Sequence, residues 1–172
     1  MHITNKPSIL LGLLVILIAT PLRATGQTEG DYLYNVTMLR AAPGHFSDLI
    51  QAIGEAASVH EQAGDRQPFW IRHSQGDQWD FMLIYPIGSF EDHFAASTLD
   101  RRNAAWATPD AHALTARLEE FTAFKEEWFA RSVDFEEMQR RFEGMGLFHV
   151  EMFAGLAGKR AALLEQRRME NR

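Results

Sequence analysis

Apolar and polar side chains alternate from Tyr32 to Arg40, with Tyr34, Val36 and Met38 on one side and Asn35, Thr37 and Leu39 on the other. A period of two predicts a strand, and the first set makes its greasier face. Pro43-Gly44 interrupts the pattern. Phe46, Leu49, Ile50, Ile53 and Ala57 then recur at helical spacing, predicting an amphipathic helix that ends near Gly64. Two β-rich runs follow, Phe69 to Gln75 and Gln78 to Ile87, on either side of Gly76-Asp77. Glycine readily takes the positive φ of a two-residue hairpin turn, so the runs are expected to pair. Pro86 and Gly88 stop the second run. Ser89 is placed to cap a helix from Phe90, with Asp92 standing where a full capping box has a longer acid.

From Leu99 to Met145 the chain reads as helical and charged, with breaks at Thr108-Pro109 and Ser132. Leu114, Leu118, Phe121, Lys125, Trp128 and Phe129 fall near one helical stripe. A last short helix is expected from Asp134, with Glu137 completing an acidic capping box and Phe135, Met138 and Phe142 on one side. Beyond it, Phe148 to Phe153 is strand-like and leads through Gly158 to Leu163 and Leu164. This segment matches Tyr34 to Leu39, Gly44, Leu49 and Ile50 at a constant offset: Val150 falls on Val36, Met152 on Met38, Gly158 on Gly44 and Leu163 on Leu49. It reads as the first strand and helix of a second repeat. The division expected is therefore 1–26 as a leader, 27–98 as a first repeat, 99–145 as a helical span and 146–172 as the start of a second repeat, as in a shortened two-repeat protein.

A repeated strand, helix, hairpin and helix is the ferredoxin-like plan, an α+β fold with an antiparallel sheet and helices on one face. On Tyr34-Asn35-Val36-Thr37-Met38, Pro43-Gly44-His45-Phe46 and Trp79-Asp80-Phe81-Met82-Leu83 with Gly88-Ser89-Phe90, the chain resembles the dimeric α+β barrel superfamily. Within it, the NIPSNAP-like and antibiotic-biosynthesis-monooxygenase-like branches are nearest. The resemblance implies two ferredoxin-like units whose open sheet faces enclose a pocket, with functions from cofactor-free oxygenases and isomerases to haem enzymes and proteins without a known reaction. The helical span at 99–145 is then an insertion where a fourth strand is expected.

Ahead of all this, Lys6 precedes an apolar stretch from Ile9 to Ala19 and a polar Thr20, Pro21 and Arg23, with Ala24 and Gly26 flanking Thr25. That order is an export signal cut before Gln27, and the stretch is too short for a membrane-spanning anchor. Cleavage removes Lys6 and Arg23 from the 17 basic side chains and none of the 23 acidic ones, leaving a formal charge of −8. Such a balance disfavours nucleic acid. The absence of Cys excludes disulfides, thiolate metal sites and cysteine nucleophiles. No zinc-type histidine spacing, Gly-rich phosphate loop or nucleophile elbow occurs, so neither metal nor cofactor is expected.

Pairing across Gly76-Asp77 sets Phe69 opposite Ile84, Ile71 opposite Met82, His73 opposite Asp80 and Ser74 opposite Trp79. Opposed side chains are close enough for a His73–Asp80 hydrogen bond, in which the carboxylate holds the imidazole as a general base. This pair is the candidate catalytic site. Asn35, Thr37, Gln75, Met82, His149 and Glu151 are expected beside it on the open face as pocket residues, with Trp70, Trp79 and Phe81 under the first helix. His45, His60, His93 and His112 read as surface or boundary residues. The function expected is an exported, periplasmic or secreted domain that binds a small molecule or assembles as a homo-oligomer, without a stable membrane anchor. The alternative is a cofactor-free oxygenase or isomerase using His73 and Asp80.

Overall fold

The central strand, β1 (Tyr32–Ala41), is paired on both sides, antiparallel to β3 (Phe81–Gly88) and to β4 (Thr122–Ser132). The outer strand β2 (Phe69–Arg72) completes the order β2-β3-β1-β4, the ferredoxin-like arrangement of an antiparallel α+β sheet. This is a computed structural model that describes residues 30–74 and 79–170. The leader at 1–26, Gln27, Gln75 and the turn Gly76-Asp77 lie outside the described residues. Among those described, no helix is long and apolar enough to cross a membrane.

Alternation along β1 places its two sets of side chains as the sequence suggests. Leu39 packs with Phe81 and Leu83 of β3 against Leu49 and Ile53 of α1 (Phe46–Gln62). Each such side chain taken fully from water contributes about 1.5 to 3 kcal/mol. Behind this layer, Ala52 and Ala56 of α1 meet Leu114 of α4 (Pro109–Phe121), where small residues let the two helices approach closely. On the opposite face Tyr34, Val36 and Met38 pack with Met82 and Trp79, joined by Phe69, Ile71, Trp128 and Met138 of α5 (Phe135–Phe142). The Phe135 and Phe142 rings of α5 lie 5.7 and 4.7 Å from that of Phe69.

Three helices start at side-chain caps. Ser89 Oγ accepts from the Asp92 amide at α2 (Phe90–His93), Thr108 Oγ1 from Ala111 at α4, and Asp134 Oδ1 from Glu137 at α5. Between α2 and α4 runs α3 (Ala96–Trp106).

Two expectations are corrected. The span 99–145 is not helical throughout, because α4 ends at Phe121 and the next eleven residues form β4. Thr122 to Ser132 also alternates, with Phe124, Trp128 and Ala130 facing the Tyr34 side, and its pairing of Val36 with Trp128 satisfies β1 backbone groups left bare by β3. Helical propensity in Lys125-Glu126-Glu127 yields to that tertiary demand. Conversely, 148–153 forms no strand. Strand-like composition there finds no partner strand among the described residues, and Val150, Met152 and Phe153 remain exposed. The turn that follows does repeat its counterpart: Gly44 and Gly158 have φ of 87° and 72°. His45 N–H donates to Ala42 O as Lys159 N–H does to Leu156 O, ahead of α1 and of α6 (Arg160–Glu170).

Candidate functional site

The last turn of α1 ends in a Schellman motif. Gly64, at φ 78°, turns the chain so that the Gly64 N–H donates to Glu61 O and the Asp65 N–H donates to His60 O, both at 2.9 Å. Any residue with a Cβ would be strained at this φ. The motif brings the side chains of its first and last residues together, commonly as an apolar contact. Here the contact is polar: His60 Nδ1 lies 3.0 Å from Asp65 Oδ2.

Arg102 of α3 reaches the same carboxylate. Its Nε donates to Asp65 Oδ1 and Oδ2 at 2.9 and 3.1 Å, its Nη2 lies 2.8 Å from Oδ1, and its Nη1 donates to His93 Nδ1 and His93 O at 3.1 and 3.0 Å. The Asp65 and Arg102 side chains are only 13% and 22% exposed, so water screens the pair weakly. Burial alone would raise the Asp65 pKa. Hydrogen bonds from His60 and Arg102, with the Arg102 charge, outweigh it and hold the carboxyl at about 2. Burial and the Arg102 guanidinium both push His93 below the ordinary histidine value.

This cluster forms the polar end of a cavity of about 670 Å³ between the sheet and α1, α3 and α4. Leu39, Leu83 and Tyr85 floor it, and Ile53, Trp106 and Leu118 wall it. The His60 ring sits 4.9 Å from that of Tyr85 and 5.5 Å edge-on to that of Trp106. Burial, then the charges of Glu127 and Asp65, push the Tyr85 hydroxyl up to about 12, so it stays a donor across the neutral range. Asn35 and Thr37 also line the cavity. The Thr37 hydroxyl is 3.3 Å from both Asn35 Oδ1 and Glu127 Oε1. Among the described residues, no three histidine, aspartate or glutamate side chains are grouped so as to hold a metal ion.

The hairpin pair behaves differently from its expected form. The register is the one read from the sequence, with Phe69 opposite Ile84 and Ile71 opposite Met82. His73 and Asp80 do face each other, through the His73 N–H donating to Asp80 O at 2.8 Å. Their side chains do not bond to each other: His73 Nδ1 donates to Trp79 O at 2.9 Å, and Asp80 Oδ2 accepts from the Ala41 N–H at 2.8 Å. Asp80 bends the chain to reach β1. The pleat is therefore broken between Trp79 and Phe81, and Trp79 joins Met82 on the face away from α1 instead of lying beneath it. The His73 ring stacks on it, 4.4 Å between centroids.

The other expected pocket residues scatter. Asn35 and Thr37 pair with Tyr85 and Leu83, so they belong to the α1 face and not to that of Met82. Met82 is buried core, 6% exposed. His149 is 84% exposed beside Glu151, which pairs with Arg167. Trp70, on the outer strand, is half-exposed. The residues missed are His60, Asp65, His93 and Arg102. A histidine four residues before Gly-Asp at a helix end was the available signal for the first two.

The chain is similar in fold to a NIPSNAP domain protein from Burkholderia xenovorans, with 14% identity over 60% of this chain and 96% of that one, at a TM-score of 0.48. A NIPSNAP family protein from Agrobacterium tumefaciens shares 14% identity over 63% and 94%, at 0.48. A Chloroflexus aurantiacus protein named for the antibiotic biosynthesis monooxygenases shares 20% over 59% and 94%, at 0.42. These are the two branches that the sequence resembles. At TM-scores below one half the likeness carries no residue's role and no activity to this chain. No protein-family model matches the chain, and no curated protein matches it.

Proposed function

We propose that the protein is a small-molecule-binding domain whose ligand occupies the cavity between the sheet and α1, α3 and α4. The supporting observation is the cavity itself: about 670 Å³, within the range of small-molecule sites, with apolar walls, the His60–Asp65–Arg102–His93 cluster at one end and a second polar group at Asn35, Thr37 and Glu127. Arg102 directs its donors to Asp65 and His93, and its charge is offset by Asp65. The polar end therefore suits a neutral molecule with one or two hydrogen-bonding atoms better than a carboxylate or phosphate.

A titration with 2-naphthol, a neutral planar probe, followed by amide chemical shifts, tests the reading. Saturable shifts are expected at Tyr85, Trp106 and Leu118, and Leu118→Trp, which narrows the cavity at its apolar wall, should weaken them in a chain that still melts cooperatively. Shifts confined to 148–153, or none up to the probe's solubility, overturn it.

The proposal includes export and self-association. Export rests on the apolar stretch Ile9 to Ala19 behind Lys6, and places the mature protein in the periplasm or outside the cell with an N-terminus near Gln27. A start at Met1 in a membrane fraction contradicts it. Self-association into a homo-oligomer rests on the apolar side chains that the carboxy-terminal segment exposes, Leu147 at 82% and Leu156 at 79%. Sedimentation as a stable monomer contradicts that.

A further inference from the structure

The Asp65–Arg102 pair touches two histidines on one cavity wall, and its two members impose opposite demands. Ionised Asp65 can only accept, so His60 must donate through Nδ1. The neutral His60 ring then carries no proton on Nε2. Arg102 can only donate, so His93 must accept through Nδ1, and its single proton sits on Nε2. We infer that this ion pair holds His60 and His93 in complementary tautomers, one a proton acceptor and the other a donor at Nε2, and that together they move a proton on an enolisable carbonyl compound held in the cavity. The inference rests on the cavity being the ligand site.

The step balances without a co-reactant. A C–H bond beside the carbonyl breaks and its proton passes to His60 Nε2. The bonding pair becomes the new C=C bond as the carbonyl π pair moves onto oxygen. That oxygen accepts a hydrogen bond from His93 Nε2–H, which a neutral imidazole can supply without surrendering its proton. The His60 imidazolium then returns the proton to oxygen, giving the enol, or to carbon at another position. Asp65 and Arg102 are positioning residues: they set which nitrogen of each ring carries hydrogen. Apolar walls at Ile53, Leu83 and Leu118 favour a largely hydrocarbon frame around the carbonyl, and the compensated charge of Arg102 favours a neutral one.

The test has two readouts on the full chain. Long-range proton–nitrogen correlation of histidine-labelled protein reports tautomers directly: His60 is expected with hydrogen on Nδ1 and His93 with hydrogen on Nε2. In Asp65→Asn, His60 should lose its single tautomer, because an amide can both donate and accept. The second readout is deuterium incorporation beside the carbonyl of 2-tetralone in heavy water. The wild-type chain should exceed buffer, and His60→Gln should lose about 100-fold or more of that excess, the scale of general acid–base catalysis. Asp65→Asn should lose most of it while still binding 2-tetralone by amide shifts. Either histidine in the opposite tautomer overturns the inference. A probe that binds without exchanging overturns proton transfer and leaves the ligand site standing, whereas one that neither binds nor exchanges overturns both.

Discussion

Two of the molecule's His–Asp juxtapositions, one across the hairpin and one at the end of α1, are built by different backbones. At the hairpin, His73 and Asp80 are opposed residues of antiparallel strands, and pairing guarantees only that their Cβ atoms are close. Each side chain had a nearer backbone partner: Trp79 O for the imidazole, the Ala41 N–H for the carboxylate. At the end of α1, the Schellman turn holds Asp65 against His60, and Arg102 closes on the carboxylate from α3. Proximity across a ladder is thus a weaker determinant of a side-chain pair than a turn whose own hydrogen bonds aim both residues, particularly where a third group uses the remaining lone pairs.

Truncation separates the two pairs most strongly. Asp65→Ala leaves the Arg102 guanidinium partly buried without its counter-charge and should cost about 3 kcal/mol, at the low end for breaking a buried pair because some exposure remains. Asp80→Ala leaves only the Ala41 N–H without its acceptor, a loss of about 1 to 2 kcal/mol. Urea unfolding of both variants measures the difference. Equal losses would mean that the hairpin aspartate carries as much electrostatic stabilisation as the helix-end one.

Acid should weaken the helix-end pair more gently than truncation does. The Asp65 carboxyl is depressed from 3.8 to about 2 in the folded chain, so the folded state binds its proton less readily than the unfolded state. The stability it contributes is fully present above about pH 4 and is lost as pH falls through about 2. That depression is equivalent to about 2 kcal/mol. Asp65→Asn should flatten the stability profile in this window. A wild-type profile already flat between pH 4 and 2 refutes the assignment.

What the sequence made legible follows the same line. Features specified within a few residues were read correctly: the caps at Ser89 and Asp134, the break at Thr108-Pro109, the hairpin register, and the turn at Gly158 that copies Gly44. Features that depend on what the rest of the chain offers were not. Thr122 to Ser132 fits a helical stripe and an alternating strand alike, and the open side of β1 decided for the strand. Phe148 to Phe153 has a strand's composition and, among the described residues, no strand beside it. The site fell between these cases. Gly64 marked the helix end, but His93 and Arg102 come from the later helices α2 and α3, and nothing local announces that they converge on Asp65.

The smallest stability effect makes the most discriminating comparison for function. His73→Ala removes one hydrogen bond to Trp79 O and a stacked ring from the edge of the sheet, and should cost about 1 kcal/mol. His60→Ala removes a hydrogen bond to Asp65 and two aromatic contacts, yet leaves the Asp65–Arg102 pair in place, so its cost should be similar. The two variants should therefore melt within a few degrees of each other. They should differ in ligand binding: His60 lines the cavity, whereas His73 stacks on Trp79 at the opposite face of the sheet. Isothermal titration with 2-naphthol is expected to show weakened binding by His60→Ala and unchanged binding by His73→Ala. Should His73→Ala weaken binding as much as His60→Ala does, the ligand lies on the Met82 face, and the site at the end of α1 has to be given up.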